Sequence, residues 1–442
     1  MSNQKETGLA KYFEFDKFGT TAGREILAGL TTFLAMAYIL VVNPLTLADA
    51  GMDQGAVFTA TALAAIVGTL AMGLYAKYPI ALAPGMGLNA FFAYTVVLGY
   101  GVPWQSALAA VFISGILFFI LAISGIRETI INAIPSGLKN AAAAGIGLFI
   151  AFIGLKNAGI IIASEATTVT LAPFTLENKG TILSIIGIIL TVIMMARNIR
   201  GAVFYGIVIT AIIGMLMGAV DTPSGVVSLP PNASAFGALF TSLFSAEFWT
   251  WDMLLVIFTF LFVDFFDTAG TLFGVASQAG LVKDDKLPRA GKALASDSLA
   301  TIAGALFGTS TTTSYIESSA GVAAGGRTGL TAVSTAGFFV LAMFFFPLLS
   351  VVNSYVTAPA LIIVGALMAT ALKNIKWDEI AESIPAFITV IAMPLSYSIA
   401  TGIALGFILF PLIKIVKGEA NKVHPIMYGL FVVFILYFVF LR

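Results

Sequence analysis

Four carboxylates lie in apolar stretches of this chain. Asp264 and Asp267 interrupt the run FLFVDFFDTAGTLFG, Asp297 falls early in the next apolar segment, and Glu317 follows the hydroxyl run Thr309-Ser310-Thr311-Thr312-Thr313. A spacing of three puts Asp264 and Asp267 at neighbouring positions on one helix face. An ionised side chain deep in a bilayer costs several kcal/mol unless it is used or neutralised. No Lys or Arg shares the apolar core of these segments. Their charge must then be met by protonation, by substrate donors, by backbone amides or by a bound cation. A buried carboxylate without a positive partner takes up a proton readily. Asp264, Asp267, Asp297 and Glu317 are therefore the candidates for proton coupling. Asp264 and Glu317, being nearest mid-membrane, are also candidates for substrate contact. Such a site is poor in positive charge, which disfavours sulfate, bicarbonate or a nucleotide as substrate.

Other residue types could complete the site. Asn89 follows the break Pro84-Gly85-Met86-Gly87 and could offer both a donor and an acceptor. An amide bonding backbone freed at the break accounts for it equally well. Thr313, within the hydroxyl run, is a further candidate contact. Phe266, with Phe91, Phe92 and Phe265, could stack on a planar ligand, although most of the 37 Phe must face lipid or pack. Gly85-x-Gly87 lacks the strand, third glycine and helix of a dinucleotide fingerprint. The chain has no Cys and one His, His424, near the C-terminus. No metal-ligand cluster or nucleophile–base pair emerges, so neither an enzyme nor a cofactor is expected, only a co-transported proton.

The elements that must position these residues are membrane spans. Of 442 residues 59% are hydrophobic and 10% charged, with a mean hydropathy of +1.01. That composition specifies an all-α polytopic membrane protein built from helices of about 20 residues. Apolar segments lie near 25–43, 56–76, 79–98, 104–124, 139–155, 180–196 and 202–219. A second set lies near 251–275, 293–307, 309–325, 328–350, 358–372, 384–396 and 399–416, and 425–441 either spans or lies at the interface. Asp264 falls about 20 Å along its helix, past the middle of a roughly 30 Å core. The Thr run favours extended backbone, which at membrane depth survives only inside protein or along a polar cavity. Glu317 thus sits on a broken span.

Lys and Arg placement puts residues 1–24 in the cytoplasm and the linker 220–250, which has neither residue, outside. Repeats 25–219 and 251–416 then enter from opposite faces, an inverted arrangement, with a tail at 417–442. ATALAAIVGTL (60–70) and SDSLATIAGAL (296–306) match at five of eleven positions, and each precedes an interrupted segment. The first 23 residues hold no apolar leader, so no cleaved signal is expected.

Five stretches carry a resemblance: NPLTLADAGM (43–52), ALAPGMGLNAFFAYTVV (81–97), FVDFFDTAGTLFGVASQAGL (262–281), KALASDSLATIAGALFGTSTTTSYIESSAGVAAGGRTGLTAV (292–333) and SIPAFITVIAMPLSYSIATGIALG (383–406). They resemble the AzgA-type purine permeases of the nucleobase:cation symporter-2 group over nearly the whole chain. The resemblance implies about 14 transmembrane segments in two inverted seven-helix repeats, divided into core and gate domains. Short strands would break the third and tenth segments. It implies proton-coupled uptake of a purine base across the cytoplasmic membrane by a homodimer, with no nucleic-acid partner. By correspondence Glu317, Asp264 and Asn89 would bind substrate, with Asp267 and Asp297 less directly engaged. Acceptor-rich side chains suit guanine and hypoxanthine over adenine. An adenine permease of the same family and an anion transporter on the same fold are the rival expectations.

Overall fold

The computed structural model describes residues 8–124, 133–173, 175, 177–199, 201–282, 287–349 and 352–440. Within them helix dominates. Eight helical stretches are long and apolar enough to cross a membrane, and four shorter apolar helices accompany them. Helix is the natural answer to such sequence, because hydrocarbon offers backbone N–H and C=O groups no partner.

The first span is α1 (Ala22–Met36) and α2 (Ile39–Asp49), broken at Ala37-Tyr38. Next come α3 (Gln54–Ala71), β1 (Leu82–Pro84), α4 (Met86–Ala90), α5 (Trp104–Ser124) and α6 (Ser136–Asn157). An antiparallel hairpin of β2 (Ile161–Ser164) and β3 (Thr168–Leu171) occupies an interval in which the sequence suggests no element. The chain continues through α7 (Lys179–Ala196), α8 (Ala202–Met217), the long α9 (Trp251–Gln278) and α10 (Ala290–Phe307). After β4 (Thr312–Ser314) and α11 (Ser318–Ala323) it ends with α12 (Gly329–Ala342), α13 (Ser354–Met368), α14 (Ile380–Ser396), α15 (Ile399–Val416) and α16 (Pro425–Phe440).

The helices sort into two packing groups. One joins α1–α5 to α9–α12, and the other joins α6–α8 to α13–α15. Within the second, α6 and α13 lie backbone to backbone at Gly147, where an added Cβ would sit 2.7 Å from the Gly365 carbonyl oxygen. The groups touch more sparsely. At one seam Thr95 Oγ1 donates to the Tyr397 carbonyl (3.3 Å), and Tyr94 meets the Tyr397 ring edge to face at 5.8 Å. Tyr397 holds a left-handed backbone (φ 54°) while Phe149, Phe152 and the Lys156 ammonium surround its ring. At the tail, Lys414 and Lys422 both hold Glu419 at 2.8 Å, and their hydrogen bonds bring its carboxyl down to about 2.

Candidate substrate site

Two broken spans cross in the middle of the first packing group. β1 and β4 pair antiparallel with Leu82 opposite Ser314, Ala83 opposite Thr313 and Pro84 opposite Thr312. The ladder extends one bond each way, from Gly85 N–H to the Thr311 carbonyl and from Tyr315 N–H to the Ala81 carbonyl, both 2.9 Å. β-Branched threonines favour this extended form. Pairing the two breaks with each other answers the backbone groups that hydrocarbon would leave orphaned. Both strands are buried throughout.

Glu317 lies directly before α11, half-buried, and accepts a hydrogen bond from Tyr38 Oη at 2.6 Å. Tyr38 is itself buried, in the break between α1 and α2. Asp267, on α9, is half-buried beside Gly85, where an added Cβ would lie 3.6 Å from its Oδ2. It accepts no hydrogen bond among the described residues, and it shares an electrostatic field with Glu317 and Asp297 that also reaches Tyr38 and Tyr315. Asn89 is buried on α4; its Oδ1 accepts from Ser310 Oγ, while its Nδ2 has no partner among the described residues. Two carboxylates and a spare amide donor are thereby gathered at the crossing.

Asp264 and Asp297 stand behind that surface. Thr268 Oγ1 lies 2.7 Å from Asp297 Oδ2, 2.8 Å from Thr313 Oγ1 and 3.4 Å from Asp264 Oδ1. Ser314 Oγ donates to Asp297 Oδ1 at 2.9 Å, and Thr301 joins Asp264 Oδ2 (3.4 Å) to the Thr312 carbonyl (2.9 Å). The structure thus places Asp264, Asp297 and Thr313 in one buried network that ties α9 and α10 to β4. With 3.6 residues per turn, a spacing of three separates two side chains by about 60°. That is enough for Asp267 to meet the crossing while Asp264 meets α10.

The aromatic candidates separate likewise. Phe91 and Phe92 pack on Phe260, and Phe265 packs on Phe118. The side chain of Phe266 lies outside the described residues. Tyr38, Thr268, Ser310 and Tyr315, whose Oη donates to the Pro84 carbonyl at 2.5 Å, are site residues that sequence reasoning did not single out. A phenol within the apolar run Ala-Tyr-Ile-Leu-Val-Val was the one signal available for Tyr38.

The segment after Glu317 is fixed from α1. Glu25, fully buried, accepts from Thr20 Oγ1 (2.8 Å), Arg327 N–H (3.0 Å), Thr328 N–H (3.1 Å) and Thr331 Oγ1 (2.5 Å). The Arg327 guanidinium donates to the Val322 and Gly326 carbonyls, both at 2.7 Å, closing the end of α11.

Apolar spans around two interrupted ones, with carboxylates at the interruption, define a multi-pass membrane transporter. More narrowly, the chain belongs to the Permease family (Xan_ur_permease), whose model matches residues 23–405. It is 57% identical to the guanine/hypoxanthine permease PbuG of Bacillus subtilis, over 98% of this chain and 100% of that one. It is 44% identical to the adenine permease AdeQ of Escherichia coli K12, over 95% of this chain and 93% of that one. Among solved structures, the transmembrane domain of the cyanobacterial bicarbonate transporter BicA superposes with a TM-score of 0.62, covering 87% of this chain and 97% of that domain at 12% identity. At that identity the likeness concerns the fold alone. As a permease, the protein is not an enzyme.

Proposed function

We propose that this permease takes up purine nucleobases together with protons, with guanine and hypoxanthine preferred to adenine. The observation that carries the reading is the meeting of Glu317, Asp267 and the spare Asn89 Nδ2 at the crossing of the two broken spans. Ionised carboxylates accept the N1–H and, in guanine, the 2-amino group, and the amide N–H donates to O6. Adenine reverses donor and acceptor at its six-position edge. A mismatch leaves a buried polar group unpaired, at about 1–3 kcal/mol, or roughly tenfold to 150-fold in affinity. The relatives named guanine/hypoxanthine permeases support this choice, and PbuG is the more similar of the two compared above.

In this reading Glu317, Asp267 and Asn89 contact the base, while Asp264, Asp297 and Thr313 act from behind. Proton coupling is assigned to the four acids together. The chain would form 14 spans in two inverted repeats, 25–219 and 251–416, with residues 1–24 cytoplasmic and 220–250 outside, placed in the cell membrane as a homodimer. The sparse contact between the two packing groups suits a core that slides against a gate.

Uptake of labelled hypoxanthine into proteoliposomes tests the proposal. An inward proton gradient should drive accumulation, and a protonophore should abolish it. Unlabelled guanine should compete better than adenine, and uracil should compete poorly. Accumulation that follows Na⁺ and ignores the proton gradient refutes the coupling, and adenine competing best moves the substrate to the adenine class.

A further inference from the structure

The apolar helix Met86–Tyr100 and the turn between α14 and α15 enclose a cleft of about 230 Å³ at the seam of the two packing groups. Tyr94, Tyr100, Ser396, Tyr397, Ser398 and Thr401 line it, and its described walls carry no charged side chain. In the topology proposed above this is the outer end of the seam. Asp49 closes the first span, which starts from the cytoplasm, and the Tyr94 hydroxyl donates to Asp49 Oδ2 at 2.7 Å. Tyr94 follows Asn89 by five residues, little more than one helical turn. The cleft therefore lies on the outer approach to the crossing of the two broken spans.

Two enclosed hydroxyls in this cleft have hydrogen-bonding capacity that the protein does not use. Thr401 is 4% exposed, and its Oγ1 has no partner among the described residues. Ser398 is 6% exposed; its Oγ accepts from the Thr401 N–H at 3.2 Å, and its own proton finds no acceptor among the described residues. A hydroxyl both donates and accepts, and buried polar groups are normally paired. Tyr397, beside them, keeps its left-handed backbone (φ 54°), and strain of this kind collects at ligand clamps. The phenol rings supply flat apolar surface, and the hydroxyls supply uncharged donors and acceptors. The volume falls below the roughly 300–1,000 Å³ of a drug-sized site. An uncharged heteroaromatic of one or two fused rings fits that chemistry, whereas an ion finds no countercharge on the walls. Two fused rings bury more surface than one. We propose that the cleft is an outer binding site for the uncharged purine base, filled before the seam opens. The inference rests on the purine-uptake reading above and adds a first stop to its path. The base pairs with Ser398 and Thr401, and the parting of Tyr94 from Tyr397 lets it pass to Glu317, Asp267 and Asn89.

The chain has no Cys, so Ser396→Cys places a single reporter thiol in the cleft. The test treats this full-length protein, purified in detergent, with a water-soluble maleimide, and uses hypoxanthine as the probe. Hypoxanthine should slow labelling in a saturable way, and uracil should do so only at higher concentration. Adding Glu317→Gln separates the cleft from the crossing, and the half-protecting concentration should be unchanged there. Adding Thr401→Val removes no hydrogen bond made within the protein, and should raise that concentration by roughly twofold to tenfold. Labelling that hypoxanthine leaves unchanged, protection that disappears with Glu317→Gln, protection untouched by Thr401→Val, or uracil protecting as well as hypoxanthine overturns the inference. Should Ser396→Cys not fold or not react, Tyr100→Cys on the exposed rim replaces it under the same criteria; should Thr401→Val not fold, the Glu317→Gln comparison decides. Labelling needs neither a gradient nor transport. Hypoxanthine uptake without protection removes the cleft alone, and protection without proton-driven uptake removes the coupling alone.

Discussion

Glu317 and Asp267 differ in how they are held, and the difference predicts different mutational costs. Glu317 already has one oxygen engaged by Tyr38, while Asp267 accepts no hydrogen bond among the described residues. Glu317→Gln keeps the volume and removes the charge, so bonds from the base to an ionised group, each about 1.5–3 kcal/mol, are weakened. Guanine affinity should fall by roughly tenfold to 150-fold in a protein of unchanged melting temperature, as read by calorimetric titration. Asp267→Asn should show a loss of the same order. Tyr38→Phe should cost less than either, because it leaves the carboxylate present and only its orientation freer. Wild-type affinity in a folded Glu317→Gln protein removes that residue from the site.

At the scale of elements, the short α11 cannot hold its own place. Its six residues are too few for a helix to be stable by itself, so its position comes from β4 on one side and Glu25 on the other. Gly321 lets it approach α1 closely, since an added Cβ would lie 2.7 Å from the Ala28 carbonyl oxygen. Glu25→Ala strands two backbone N–H groups and two hydroxyls that now converge on one buried carboxylate. Each buried unsatisfied group costs about 1–3 kcal/mol, so the unfolding free energy should drop by at least about 2 kcal/mol and guanine affinity should drop with it. Thermal unfolding with and without guanine measures both. An Ala variant as stable as wild type contradicts the clamp.

At the scale of the whole molecule, the proposed transport cycle moves the two packing groups past one another while the spans keep their backbone bonds. The Tyr94–Tyr397 and Thr95–Tyr397 contacts join the groups at one seam, and separating them should be necessary for turnover. The chain has no native Cys, so Thr95→Cys combined with Ser398→Cys allows a clean cross-link. A short bis-maleimide should stop uptake in the double variant and leave each single variant active, and guanine binding should persist in detergent. Full uptake after complete cross-linking, scored by a gel shift after proteolysis between the two sites, excludes relative motion at this seam.

The sequence by itself determined the membrane class, the interruptions near residues 84 and 312, and the presence of four carboxylates within apolar segments, because each is a local property. Apolar length, a Pro-Gly pair, a Thr run and a carboxylate without a cation are all visible within one segment. The β2–β3 hairpin was not legible in the sequence because each strand is only four residues long, too short for the Thr-Val-Thr-Leu alternation of β3 to stand out between two apolar spans. Which face of α9 meets the crossing was decided only by tertiary packing. Spacing alone made Asp264 the more central acid, whereas the rotation of α9 against α10 turned it into the Thr268 network and left Asp267 beside Gly85. Tyr38 and Glu317 are 279 residues apart and meet at 2.6 Å. No periodicity within either segment encodes that contact, because it depends on how two broken spans from opposite halves of the chain cross.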